Sequence, residues 1–347
     1  MLQYFKGVDL MKLFYVSSYD NKEKGIYVCS LDNNKLKLEK FISIDDYPSY
    51  MIKKDNYLYL ALKDARNGDG GGVASYLIKD NDLKLVSSFN SLGRSYTHLC
   101  VSDDHKYLFT ANYHVGTTAV YLMNNHHIEQ KLSVVHHHGS GIDLLKRQTS
   151  PHVHYVGITP DNKYLYSIDL GADKIVMYNF DGKDLVETEL SQAVIPGSGP
   201  RHMIFSHDGR FAYLVNEISN SIYVYQYHDG HFTLVQGINC VPRHFHGFSS
   251  AAAIHMTSSG KHMLVSNRGH DSIVLYRVNQ DSGKITLLYM VHTGKSPRDF
   301  NIIDDKYIVV ASQEDNRLEL YSFDEDNEEI KFMDEILEIK QPVCVAL

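Results

Sequence analysis

Residues 156–180 read VGITPDNKYLYSIDLGADKIVMYNF, and the fold follows from how this stretch is punctuated. A run of alternating apolar residues ends at a polar turn, Asp161-Asn162. A second run, rich in tyrosine, fills Lys163–Ile168, and after a loop a third run ends near Tyr178. Alternation with a period of two marks β-strands, and short polar turns between such runs mark hairpins. The same order recurs from Tyr50, Leu99, Met203, Ile254 and Phe300, with successive repeats starting 46 to 57 residues apart. A unit of that length with several short strands is the mark of a β-propeller blade, which buries its faces by stacking on its neighbours.

In the unit quoted, the spacing predicts strand a over His154–Thr159, strand b over Lys163–Ile168, strand c over Lys174–Tyr178 and strand d near Leu185–Leu190. No segment keeps a helical period; the nearest, Asp143–Gln148, is too short to matter. The two ends complete each other. The segment from Lys12 to Leu31 has strands b and c but no strand a, and Gln341–Leu347 looks like a strand a alone. Joined, they make a seventh blade, and pairing the termini leaves few open sheet edges. The expectation is an all-β, seven-bladed β-propeller with four-stranded antiparallel blades. It forms one domain over 11–347, with residues 1–10 as an N-terminal lead-in.

Composition narrows the function. The 347 residues are 43% hydrophobic and 22% charged, which is globular, and the net charge of −8 gives no general attraction for nucleic acid or anionic membranes. Any anionic ligand must then be held by a local cluster drawn from only ten arginines. Four scattered cysteines without a CxxC argue against a zinc site or a disulfide framework. No secretory pattern opens the chain, and no apolar run reaches the roughly 20 residues that span a bilayer. These features predict a soluble cytoplasmic protein without nucleic-acid or membrane partners; it is expected to be a monomer or weak homodimer, though nothing in the composition decides between them.

In a four-stranded meander the start of strand a and the end of strand b share one edge, so their flanking residues gather on one face of the ring. Before strand a stand Gly93-Arg94, His152 and His154, Arg201-His202 and Arg298-Asp299. After strand b stand Asn112-Tyr113-His114, Asp169 to Asp173, Asn216-Glu217, Asn267-Arg268-Gly269-His270 and Gln313-Glu314-Asp315. The opposite edge carries ordinary Asp, Asn, Gly and Lys turns. Residues i and i+2 of a strand face one way, so His152 and His154 are expected to project together into the mouth of the ring.

Each of these residues also has a plainer reading. A Pro-Arg pair can simply cap a strand, which applies to Arg201, Arg243 and Arg298. Asp169 and Asp173 can structure their loop through backbone N–H groups, and the recurring Asn112, Asn216 and Asn267 can close turns. Glu217 can pair structurally with an arginine. The run His136–His138 lies in a long insert with no carboxylate or cysteine at ligand spacing, so it reads as a solvated or substrate-facing loop and not as a metal site.

At these positions the chain resembles a known family. The segments Arg147–His154, Asp169–Asp173, Gly199–His202, Asn216-Glu217, Ser266–His270 and Pro297-Arg298 look like the propeller-type bacterial 6-phosphogluconolactonases, which are similar to fungal carboxy-muconate cyclases. The resemblance runs from about Phe14 to the C-terminus. It implies a seven-bladed propeller and opening of a lactone ring, or its reverse, with no metal and no organic cofactor. It puts the catalytic positions on His154, Arg201, Glu217 and Arg268, with His152, His202, His270 and Arg298 as candidates for substrate contact. The implied reaction is hydrolysis of 6-phosphoglucono-1,5-lactone to 6-phosphogluconate in the pentose phosphate pathway. The alternatives are another lactone, a carboxy-muconate, or a binding propeller without chemistry. Two site-face segments depart from the family pattern, Ser17-Ser18-Tyr19-Asp20 and Leu60-Ala61-Leu62-Lys63, and both bear on substrate preference.

Overall fold

The computed structural model describes residues 11–347 except 21, 23, 45, 64–70, 91–95 and 144–145. The expected lead-in at 1–10 and the candidate Arg94 therefore lie outside the described residues. Every regular element among the described residues is a β-strand. They form seven antiparallel sheets, each in the order of a meander. Blade 1 is Pro342–Ala346, Lys12–Ser18, Gly25–Asp32 and Lys35–Ser43, so the last strand of the chain is the innermost strand of the first blade; blades 2 to 7 follow in chain order, their strands lying within 48–90, 96–136, 153–193, 200–239, 250–292 and 297–338. Tyr15 to Ser18 pair antiparallel with Ala346 to Pro342, which is the closure expected from the two incomplete ends.

Seven apolar clusters fill the seven spaces between neighbouring blades. One of them joins Phe14, Val16 and Cys29 of blade 1 to Val309, Leu318 and Leu320 of blade 7, so the ring is closed. Tyrosines and β-branched residues dominate because each sheet is packed on both faces. All four cysteines are free thiols, and three are buried. In blade 4 the strands are Val153–Ile158, Leu165–Asp169 and Lys174–Phe180. Its outer strand departs from the expected Leu185–Leu190. It is broken into Leu185–Glu187 and Gln192–Ala193, with Ser191 bonding the Met177 N–H from the gap.

The innermost strands share an irregularity that positions the site. In six blades the ladder slips by one residue near the site-face end, leaving Val343, Ser49, Thr97, His154, Arg201 or Arg298 without a directly opposed partner. In blade 6 the slip spans Ala252 and Ala253. A β-bulge kinks the strand and re-aims the extra side chain. All six single-residue bulges line one cavity on the axis. Proline stands immediately before four of them, at Pro342, Pro48, Pro200 and Pro297, where a missing N–H costs no ladder bond.

This geometry replaces the simple alternation expected for His152 and His154. His152 precedes the strand and His154 is its bulge. Both still meet the Tyr113 ring, His152 stacked at 4.3 Å and His154 edge-on at 5.8 Å.

Because ring closure rests on Pro342–Ala346, deleting residues 342–347 removes five buried side chains and exposes the inner edge of Lys12–Ser18. The expected outcome is a chain that is insoluble or lacks a single cooperative thermal transition, checked by size-exclusion chromatography and calorimetry. A truncated chain melting like the intact one would mean that closure contributes little.

Candidate active site

Glu217 follows the second strand of blade 5, Phe211–Asn216, and is 3% exposed. A lone buried carboxylate is costly; this one meets three guanidinium groups. Its Oε1 accepts from Arg147 Nη2 at 2.7 Å, and its Oε2 accepts from Arg201 Nε at 3.1 Å and lies 3.0 Å from Arg268 Nη2. Burial alone would raise Glu217, but Arg268, Arg201 and Arg147 outweigh it and hold the carboxyl well below the usual range. Arg201 is pulled the other way, below the usual guanidinium value, by burial and by the nearby charges of Arg268 and Arg298. The two shifts describe one cluster with more cations than anions: its carboxylate is firmly ionised and its guanidinium groups repel one another.

The arginines are also held by neutral groups. Arg201 Nη1 donates to the Ala252 carbonyl at 2.7 Å and to His202 Nε2 at 3.1 Å. Arg268 Nη2 donates to Ser250 Oγ at 2.8 Å. Arg147 donates to the Tyr113 hydroxyl at 3.0 Å and keeps the most exposed side chain of the three. The strand-cap reading thus fails for Arg201, whose guanidinium reaches across to the next blade, while Arg243 is exposed on its loop.

His154 lies beside this cluster and is 6% exposed; its Nδ1 is buried with no hydrogen-bond partner among the described residues. Burial, then the charge of Arg201, pushes its pKa well below the ordinary histidine value, so the ring is neutral at pH 7. The cavity it shares with Arg201, Arg298 and Tyr19 measures about 20 Å³, room for a water molecule.

Of the eight residues expected at the site, Arg201, Glu217 and Arg268 meet directly, and His154 and Arg298 join them along the axis. His202 lines the cavity too, but its ring belongs to a stack across the channel. It lies 5.3 Å from Tyr155 and 5.5 Å from His98, which in turn is 4.3 Å from Tyr50. His152 serves as a support: it stacks on Tyr113, and its Nδ1 bonds the Tyr113 carbonyl at 2.9 Å. His270 is not in the cluster. Gly269, with a φ of 91°, turns the chain after Arg268, and His270 packs on Phe245 and His292.

Arg147 and Tyr113 are the participants that motif reading passed over. Their signal was present, since Arg147 begins the segment that ends in His154 and Tyr113 sits directly after a second strand.

The loop residues behave structurally. Asp169 Oδ1 accepts the N–H groups of His152, Gly171 and Ala172. Asp173 accepts those of Gly197 and Gly199. The expectation for His136–His138 needs correction at its centre. His137 is buried, with Nδ1 2.7 Å from Asp169 Oδ2 and Nε2 2.5 Å from the Tyr178 hydroxyl. It pins the long insert to blade 4. No group of three or more potential metal ligands occurs among the described residues.

The buried neutral histidines set a pH dependence. His98 is pushed down to about 3, first by burial, and His154 and His202 are also depressed. Below the ordinary value of 6.5 the unfolded chain takes up protons that the folded chain refuses. The stability these rings confer is therefore complete above pH 6.5 and is lost as pH falls toward 3. The depressed Glu217 acts in the same direction at lower pH, its share being present above about 4.5. The unfolding free energy should fall progressively below pH 6.5, by up to about 1.4 kcal/mol per pH unit for each titrating histidine, and the thermal midpoint should fall with it. His98→Phe should be less stable at pH 7 but should show a shallower slope in the same scan.

Comparison with known proteins agrees with this architecture. A family model described as lactonase, 7-bladed beta-propeller, matches residues 13–347. A 6-phosphogluconolactonase of Bacillus subtilis is 34% identical over 343 residues, covering 95% of this chain and 97% of its own. A periplasmic gluconolactonase of Pseudomonas aeruginosa superposes with a TM-score of 0.90 at 29% identity, covering 96% of this chain and 98% of its own. A protein from Lactobacillus plantarum gives the same score and identity over 97% and 99%. The axial site described above is therefore built on a shared scaffold, and the chain belongs to the lactonase family of seven-bladed β-propellers.

Proposed function

We propose that the protein hydrolyses 6-phosphoglucono-1,5-lactone to 6-phosphogluconate in the cytoplasm, using His154, Arg201, Glu217 and Arg268 at the axial site. Family membership supports lactone hydrolysis as the reaction class. The observation that carries the substrate reading is the charge balance. Three guanidinium groups, those of Arg147, Arg201 and Arg268, surround the Glu217 carboxylate beside a neutral imidazole, and the axial cavity adds Arg298 and Asp299, so arginines outnumber carboxylates four to two. An anionic substrate offsets that excess.

The chemistry needs an activated water, stabilisation of a tetrahedral oxyanion and a proton for the ring oxygen. His154 takes a proton from the attacking water as it adds to the lactone carbonyl, then returns it to the ring oxygen as that C–O bond breaks. Arg201 and Arg268 stabilise the oxyanion, a contact worth roughly 3 kcal/mol. Glu217 is a poor base because three arginines stabilise its ionised form. Its part is to hold Arg201 and Arg268 in place. Anion binding beside His154 counters the repulsion that depresses it and so raises its basicity. The substrate is already an activated ester, so a site without a triad suffices.

The test is decay of freshly generated 6-phosphogluconolactone, which the protein should accelerate above the spontaneous rate. Arg201→Ala should lose about 10²–10³ in kcat, and His154→Ala should lose the rate while retaining binding of 6-phosphogluconate. Because His154 protonates only below its depressed pKa, kcat/KM should hold as pH falls through 6.5 and decline at lower pH. No acceleration, or variants as fast as the parent, would overturn the assignment. A panel with unphosphorylated lactones and a carboxy-muconate separates the substrates.

A further inference from the structure

The catalytic cluster occupies one side of the axis, on blades 4 to 6. On the other side, blades 7, 1 and 2 send in Arg298, Tyr19 and Lys63. Arg298 is the bulge of the innermost strand Pro297–Ile303. Tyr19 directly follows the second strand of blade 1, Lys12–Ser18, and Lys63 directly follows that of blade 2, Tyr57–Leu62. These two therefore hold the same repeat position that Glu217 holds in blade 5, on the same face of the ring.

Their geometry is that of two cations on one ring. The Arg298 guanidinium carbon lies 5.3 Å from the Tyr19 ring centre, and Lys63 Nζ lies 4.8 Å from it. Arg298 has no ion pair or hydrogen bond among the described residues, unlike the three arginines bound to Glu217. Its neighbour Asp299 makes no ion pair with it; that carboxylate also borders the cavity, accepts the Val345 N–H at 2.8 Å and faces His255 at 3.6 Å. Tyr19 and Arg298 line the same cavity as His154 and Arg201, so the two halves open into one space.

A half-buried arginine with no ion-paired carboxylate, a lysine and a tyrosyl hydroxyl offer donors to a dianion, with Arg able to bind two of its oxygens at once. The lactone end of the substrate belongs with His154, Arg201 and Arg268. A group at the far end of a six-carbon ring reaches across the axis. We propose that Arg298, Lys63 and Tyr19 form a phosphoryl subsite that selects phosphorylated over unphosphorylated sugar lactones. This rests on the lactonase reading above. It also gives a physical role to two site-face segments that depart from the family pattern, those containing Tyr19 and Lys63.

The experiment measures kcat/KM for freshly prepared 6-phosphoglucono-1,5-lactone and for glucono-1,5-lactone, and the inhibition constant for inorganic phosphate. It uses the parent protein, Arg298→Gln and Lys63→Met. Losing one charge-assisted contact should cut the ratio of the two kcat/KM values by about 10- to 100-fold in Arg298→Gln. The drop should be smaller but in the same direction in Lys63→Met, whose position at a loop leaves the core intact. Inorganic phosphate should inhibit both variants more weakly than the parent. A ratio unchanged in both variants, with both substrates slowed alike, would overturn the subsite and leave the lactonase reading standing. A parent protein that hydrolyses neither lactone would overturn the lactonase reading instead. If only the unphosphorylated lactone turns over, the subsite assignment fails.

Discussion

Each blade has two apolar faces, and only closure into a ring buries both of them for all seven. The pairing of Tyr15–Ser18 with Pro342–Ala346 supplies that closure. Without it blades 1 and 7 would expose the cluster that contains Phe14, Val16 and Val309. The closing strand also contributes to the site. Val343 is one of the bulge residues on the axis, and Val345 N–H bonds the Asp299 carboxylate, which borders the same cavity. The closing seam thus reaches the wall of the axial cavity.

The bulges solve a second problem. In a regular strand, side chains lie to either side of the sheet and pack between blades, not along the axis. One extra residue per inner strand turns a side chain into the channel while the rest of the strand keeps its packing. The cost falls on burying charge. Glu217 and its three arginines would gain little over a well-packed apolar cluster of the same volume, and removing one partner would leave charge stranded. Such a cluster at the axis is explained by chemistry more readily than by stability.

The blade count, the meander and the joining of the termini were all legible in the sequence, because they depend on alternation, turn residues and repeat length. The gathering of Arg201, Glu217 and Arg268 was legible too, from the shared edge of strands a and b. What escaped was finer. A bulge changes the facing of a single residue, so the i, i+2 argument misjudged His152, which supports Tyr113 instead of entering the cavity. The four prolines that precede bulges were visible, yet their meaning depends on the ladder register. Arg147 lies on an insert with no repeat partner, so periodicity had nothing to say about it. His270 was misjudged because a left-handed glycine reverses the chain directly after Arg268.

The ring stack of Tyr50, His98, Tyr155 and His202 stands between the axial cavity and a vestibule of about 600 Å³ at the opposite end of the axis. Tyr50 borders both spaces. The propeller's central hole is thus a blind well and not a conduit. Whatever enters at the site face must leave by the way it came, so a product still seated in the well excludes the next substrate. Under the proposed lactone hydrolysis, product and substrate would then compete for one mouth, and turnover would be tied to how fast the well empties.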